Sequence, residues 1–217
     1  MIENLESLGQ EALDYLNQKN SAREQALPRA RTLIRYCANS IRAAHRREFA
    51  AAEELLARAA ELLAQIGTDL REQPDVFYAG FVQDAQKEYA EAAAFLALVQ
   101  GRALPHPQSL HIDWAPYLNG LGEAVGELRR YVLDRLRHGW LAECEQLLQH
   151  MDDIYALLIT IDFPDAITGG LRRTTDTARA ILEKTRGDLT VAVRQAQLEG
   201  KISELLTALN EKGEAPS

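Results

Sequence analysis

Cysteine is almost missing from this chain. Cys37 and Cys144 are the only two in 217 residues, and they lie far apart. That spacing excludes a thiolate metal cage and a disulfide framework, and it fits a reducing cytoplasm. Proline (7) and glycine (13) are sparse and gathered at a few points, which leaves little material for the many turns of a sandwich or barrel. No segment of useful length alternates with a period of two, and no unit repeats. No apolar run approaches the roughly 20 residues that span a bilayer, so no membrane is expected. The opening M-I-E-N-L-E-S is acidic and carries no signal-peptide pattern. An excess of positive charge is also absent. The formal net charge is −8, so the molecule as a whole repels nucleic acid unless a basic face is set apart.

What remains is alanine, leucine, glutamate and arginine, with 47% hydrophobic residues: enough for a sizeable core and strongly inclined to helix. The pattern predicts one all-α domain over 1–217, an antiparallel bundle of about seven helices. A short N-terminal helix is expected over about 3–18. A second runs from a capping box at Ser21 and Glu24 to about 45, with Pro28 kinking it or delaying its start. Further helices are expected over about 48–66, 75–100, 113–138, 140–161 and 170–199, with Gly67, Gly101 and Gly139 as stops and a disordered tail over 211–217.

One helix poses a chemical question. In K-E-Y-A-E-A-A-A-F-L, residues 87–96, Glu88 and Glu91 share a stripe with Phe81, Asp84, Phe95 and Leu98, while the other faces are mostly alanine, tyrosine and leucine. A helix apolar nearly all round is normally buried. Buried glutamates cost heavily unless a cation or donors compensate, whereas the same stripe facing solvent or an arginine costs little. A second pair, Glu123 and Glu127, lies in Y-L-N-G-L-G-E-A-V-G-E-L-R-R among Gly120, Gly122 and Gly126. Each helical glycine costs about 1 kcal/mol against alanine, so three together suggest a close approach by backbone or ligand. Four carboxylates on two helices suit a hard cation held by oxygen, magnesium or manganese. No Glu-x-x-His pattern accompanies them, which argues against a di-iron centre. Such a site typically serves phosphodiester hydrolysis.

The missing positive charge is concentrated in one place. Residues 19–47 hold eight lysines and arginines against Glu24 alone. Arg31, Arg35, Arg42 and Arg46 fall within a wedge of about 60°, with His45 beside them, as expected for contacts to a nucleic-acid backbone. A solvated face paired with acidic neighbours is the plain alternative. Tyr78 and Phe81 could stack unpaired bases or belong to the core. His106 and His111 read as surface residues of a loop.

Taken together, E-Y-A-E-A at 88–92, Y-L-N-G-L-G-E-A-V-G-E-L-R at 117–129 and G-L-R-R-T-T-D-T-A-R-A-I-L-E-K-T-R-G-D-L-T at 170–190 resemble the translin superfamily, most of all its prokaryotic Trax-like members. S-I-R-A-A-H-R-R-E-F at 40–49 is similar to the family's N-terminal helix, and the likeness spans about 20–200. The resemblance implies a homo-oligomer, often a hollow octamer, that holds single-stranded RNA or DNA. It also implies a magnesium-dependent endoribonuclease site, built in Trax-type subunits on E-Y-x-E-A and D-x-x-G-E-L. Carried onto this sequence, those motifs give Glu88, Glu91, Glu123 and Glu127, with Glu123 standing where the pattern has aspartate. The expected division of labour is a metal on Glu88, Glu91 and Glu123, a water oriented by Glu127, and phosphates placed by Arg35, Arg42 and Arg46. Translin-type subunits bind nucleic acid without cutting it, and that is the alternative. The arginines at 172, 173, 179 and 186 match the family motif without a role that the sequence decides.

Overall fold

A computed structural model describes residues 4–213, which form helices joined by turns and short irregular segments, with no strand among them. Six long helices form the body: α1 (Leu5–His45), α2 (Phe49–Asp69), α4 (Gly80–Val99), α6 (Trp114–Leu136), α7 (Leu141–Leu158) and α9 (Leu171–Gly213). Three single-turn helices, α3 (Pro74–Phe77), α5 (Pro107–Leu110) and α8 (Asp165–Thr168), sit in the connections. No helix of the described residues is long and apolar enough to cross a membrane.

Several boundaries differ from expectation, each for a physical reason. The first two helices are one. Ser21 and Glu24 lie inside α1, where Glu24 pairs with Arg23 instead of capping. Pro28 is tolerated because it and Glu24 are both exposed, so water can serve the Glu24 carbonyl that loses its amide partner. Helix α2 runs through Gly67 because Ile66 and Leu70, one turn apart, are both fully buried and outweigh the glycine cost. The segment over 75–100 is broken at Ala79, whose extended backbone separates α3 from α4. Gly101 and Gly139 do act as stops, each with φ near +70°. The tail beyond 213 lies outside the described residues.

The short connections give antiparallel neighbours. Ser40 of α1 bonds to the Ala52 carbonyl of α2, and the Cys144 thiol of α7 points to the Val132 carbonyl of α6. The longer 100–113 segment returns along α4, so α4 and α6 run parallel: Lys87 meets Glu123, and eight residues further along each helix Phe95 meets Tyr131. Helix α4 lies between α1, α2 and α6, which explains its all-round burial.

Gly120 permits the α4–α6 approach. A Cβ there would stand 2.6 Å from the Lys87 carbonyl oxygen and 2.9 Å from the Glu91 amide nitrogen. Backbone cannot yield as a side chain does, so Gly120→Ala must part the two helices. The expected loss is about 1–3 kcal/mol, seen as a melting temperature several degrees lower by calorimetry. An unchanged melting temperature would refute the close-approach reading. The C-terminal motif also acquires structural roles. Asn119 donates to the Thr168 carbonyl and accepts from the Thr174 hydroxyl, and Arg129 reaches Thr185 and Asp188. Arg186 bridges Asp152 and Glu183, a structural role for one of the undecided arginines.

Candidate metal centre

Parallel packing of α4 and α6 brings the two acidic pairs together. One carboxylate oxygen each from Glu88, Glu91 and Glu123 can be chosen so that all three lie within 4.8 Å of one another. An octahedral magnesium ion at about 2.1 Å from each oxygen needs ligand separations of about 3 Å for neighbours and about 4.2 Å across the ion, somewhat less than the 4.8 Å within which these oxygens lie. Glu88 and Glu91 are half-buried, and neither accepts a hydrogen bond or ion pair from any described residue. Two partly buried carboxylates without donors carry an uncompensated desolvation cost.

The charges record this imbalance. Burial first, then the carboxylates of Glu88, Glu123 and Glu127, push the Glu91 carboxyl up to about 8, against the pull of Lys87. Glu88 is raised too, by burial and then by Glu123. Lys87 is the cation that the sequence reading passed over. Its ammonium donates to Glu123 at 2.7 Å. Burial opposes its charge, yet that hydrogen bond and the surrounding carboxylates hold it above the usual lysine range. Its place four residues before Glu91 was the available signal.

Glu127 stands apart from the trio. Its carboxylate meets His45 Nε2 at 2.5 Å, and this bond holds it below the usual carboxylate range. His45 therefore leaves the arginine stripe. Its side chain is only 6% exposed, packed beside Phe95 and Tyr131 at ring separations of 4.8 and 6.1 Å. Turning one step further around α1 than Arg42 carries it from solvent into the α4–α6 groove.

The four arginines of the stripe are exposed along α1. Arg42 donates to Asn39, Arg46 makes two bonds to Glu48, and Arg31 and Arg35 have no ion-pair partner among the described residues. Tyr78 is exposed, whereas Phe81 packs partly against the core. His106 and His111 are exposed, His106 accepting from the Gln108 amide. Neither cysteine is a candidate nucleophile or ligand. Burial, then Glu88 and Glu91, drives the Cys37 thiol far up, and burial pushes Cys144 up to about 11.

Comparison with known proteins supplies relatives. No family model matches the chain. The uncharacterized protein MJ0175 of Methanocaldococcus jannaschii is 30% identical over 205 residues, covering 92% of this chain and 89% of its own length. Among solved structures, AfC3PO in complex with duplex RNA superposes with a TM-score of 0.81 at 35% identity, covering 87% of this chain and 97% of that one. AfC3PO alone gives 0.80 at 34%, with 87% and 98% covered. Apo-NeC3PO gives 0.75 at 21%, with 88% and 98% covered, and bears on the fold alone.

Proposed function

The chain belongs to the translin superfamily, on its Trax-like side, and from that premise we propose that it is a metal-dependent endoribonuclease acting on single-stranded RNA. The observation that carries the reading is the cluster of Glu88, Glu91 and Glu123, two of them without a donor. Magnesium or manganese, when bound there, supplies charge neutralisation at the phosphate and a water of lowered pKa. The chain's own residues supply the rest. Glu88, Glu91 and Glu123 hold the ion. Glu127, held ionised and oriented by His45, accepts a hydrogen bond from the attacking water and is poised to take its proton. Phe95, Tyr131 and Cys37 wall off the inner side and limit bulk water. Arg31, Arg35 and Arg42 lie one face around α1 and position the strand.

The duplex RNA held by AfC3PO supports RNA as the ligand class. Self-association is part of the proposal. Leu5, Leu8, Leu13 and Leu16 on α1, and Leu198, Ile202, Leu205 and Leu209 on α9, are exposed apolar residues that a second copy would cover. The second reading is a silent binding protein, and one observation favours it: Lys87 already neutralises Glu123, as a resident cation would.

One assay separates the two. End-labelled single-stranded and duplex RNA are incubated with the assembled protein, sized by light scattering, in magnesium and in chelator. Cutting of the single strand in magnesium alone is expected. RNA retained uncut under both conditions would establish the silent reading.

A further inference from the structure

Away from the carboxylates, where α1 ends and α7 begins, two arginines converge on one indole. The guanidinium carbon of Arg135 lies 4.4 Å from the Trp140 ring centre, and that of Arg47 lies 5.0 Å from it. Arg135 is only 8% exposed, its Nε is buried without a partner, and it has no hydrogen bond or ion pair among the described residues. Arg47 has none either, and it sits at φ +63°, a left-handed conformation unfavourable for a side chain with a Cβ. The nearby carboxylate is Glu143, which accepts from the Tyr131 hydroxyl at 3.2 Å, so two positive charges face one negative. The C-terminal ends of α1 and α6 favour cations here, but no carbonyl accepts from either side chain. Trp140 is 43% exposed and stands immediately before α7, whose first turn has no capping side chain, the Leu141 amide being bonded to the Gly139 carbonyl.

Arg135 is stacked on Tyr131 as well as Trp140, its buried Nε lacks an acceptor, and an anion at this point satisfies it. The indole is 43% exposed, and Arg47, itself exposed and lying over its ring, can swing to a phosphate and yield that place to a base. We propose that Trp140, Arg47 and Arg135 form a nucleotide subsite, the arginines taking a phosphate of a single-stranded nucleic acid and Trp140 its neighbouring base. The subsite rests on the nucleic-acid reading above and extends it. Arg135 follows Glu127 by two helical turns, about 12 Å along α6, with Tyr131 between them. A strand seated on Trp140 therefore reaches the carboxylates within a few nucleotides, and the subsite fixes where the cut falls relative to the stacked base.

The chain has two tryptophans, and Trp114 is exposed, so Trp114→Phe leaves Trp140 as sole reporter. The full chain is titrated in chelator with a single-stranded RNA of about ten nucleotides, within the range one such groove covers. Trp140 emission and the anisotropy of a label on the RNA are read together. The expected result is quenching that saturates with the anisotropy. Trp140→Ala should weaken binding about tenfold, and exposed Arg47→Gln should lower the salt slope by about 0.7. Binding of RNA with unchanged Trp140 emission, and affinity within twofold in both variants, would overturn the subsite and leave the nuclease proposal standing. No RNA binding at all would sink both. Quenching by inorganic phosphate that RNA cannot displace would assign the site to a small anion. Quenching that tracks protein concentration without RNA would assign it to a second copy. Either of these overturns the proposal.

Discussion

Glu91→Gln should lower RNA cleavage by about 1,000-fold or more, roughly 4 kcal/mol of transition-state stabilisation, while the metal-free protein melts higher than the parent. The two halves share one cause. Glu91 lies at the centre of the acidic trio, where burial and three other carboxylates press its carboxyl up to about 8. Without a cation the folded protein must either hold Glu91 protonated at neutral pH or bear its charge among like charges. A glutamine of the same shape removes that penalty, and the expected gain is about 1–2 kcal/mol after the buried amide's own desolvation. The same change takes an anionic oxygen from the proposed ion, and an amide oxygen is a far weaker ligand for magnesium. A stabilised protein that no longer cuts is the signature of a residue kept for function at the expense of stability. Calorimetry without metal and single-turnover cleavage with it read the two halves. Parent-like cleavage by Glu91→Gln would remove Glu91 from the site. Unchanged cleavage together with lower stability would make it a structural residue.

Much of this site was legible before any coordinates. Helical spacing places Glu88 with Glu91 and Glu123 with Glu127, and the glycines around the second pair announce a tight approach, which Gly120 makes against the α4 backbone. What the spacing could not supply is the direction of α4 relative to α6. Short loops argue for antiparallel pairs, and α1–α2 and α6–α7 obey. The 100–113 connection is long enough to carry the chain back, and that return sets Lys87 against Glu123. Two partners were hidden for related reasons. His45 belongs by angle to the margin of the arginine stripe, and a wheel drawn on one helix does not show that α6 waits beside it. Lys87 is a single cation among alanines, and its acceptor lies 36 residues away on another helix. Helix ends failed where burial outweighed a local signal, as at Gly67, or where exposure excused a breaker, as at Pro28.

Magnesium affinity should rise about 50-fold between pH 6 and pH 8, because binding at this trio must expel the Glu91 proton. With its carboxyl near 8, about one molecule in a hundred has Glu91 ionised at pH 6 and about half at pH 8. The stability of the metal-free protein moves the other way. A folded pKa raised above the ordinary carboxylate value means that the folded state holds the proton more tightly than the unfolded chain. The stability contributed is fully present below about 4.5 and is lost as pH climbs toward 8. Glu88 is shifted in the same direction and adds to the trend. Glu127 is shifted oppositely by His45, so its contribution is lost only as pH falls below the ordinary carboxylate range, outside this window. The metal-free melting temperature should therefore decline from pH 5 to pH 8, and the increment produced by magnesium should grow over the same interval. Glu91→Gln should flatten both curves. Isothermal titration in buffers of different ionisation enthalpy counts the protons released, and close to one per ion is expected at pH 7. A magnesium affinity independent of pH from 6 to 8, with no proton released, would mean that Glu91 is already ionised beside Lys87. The ammonium, not a metal, would then be the counter-ion for which this acidic cluster is built.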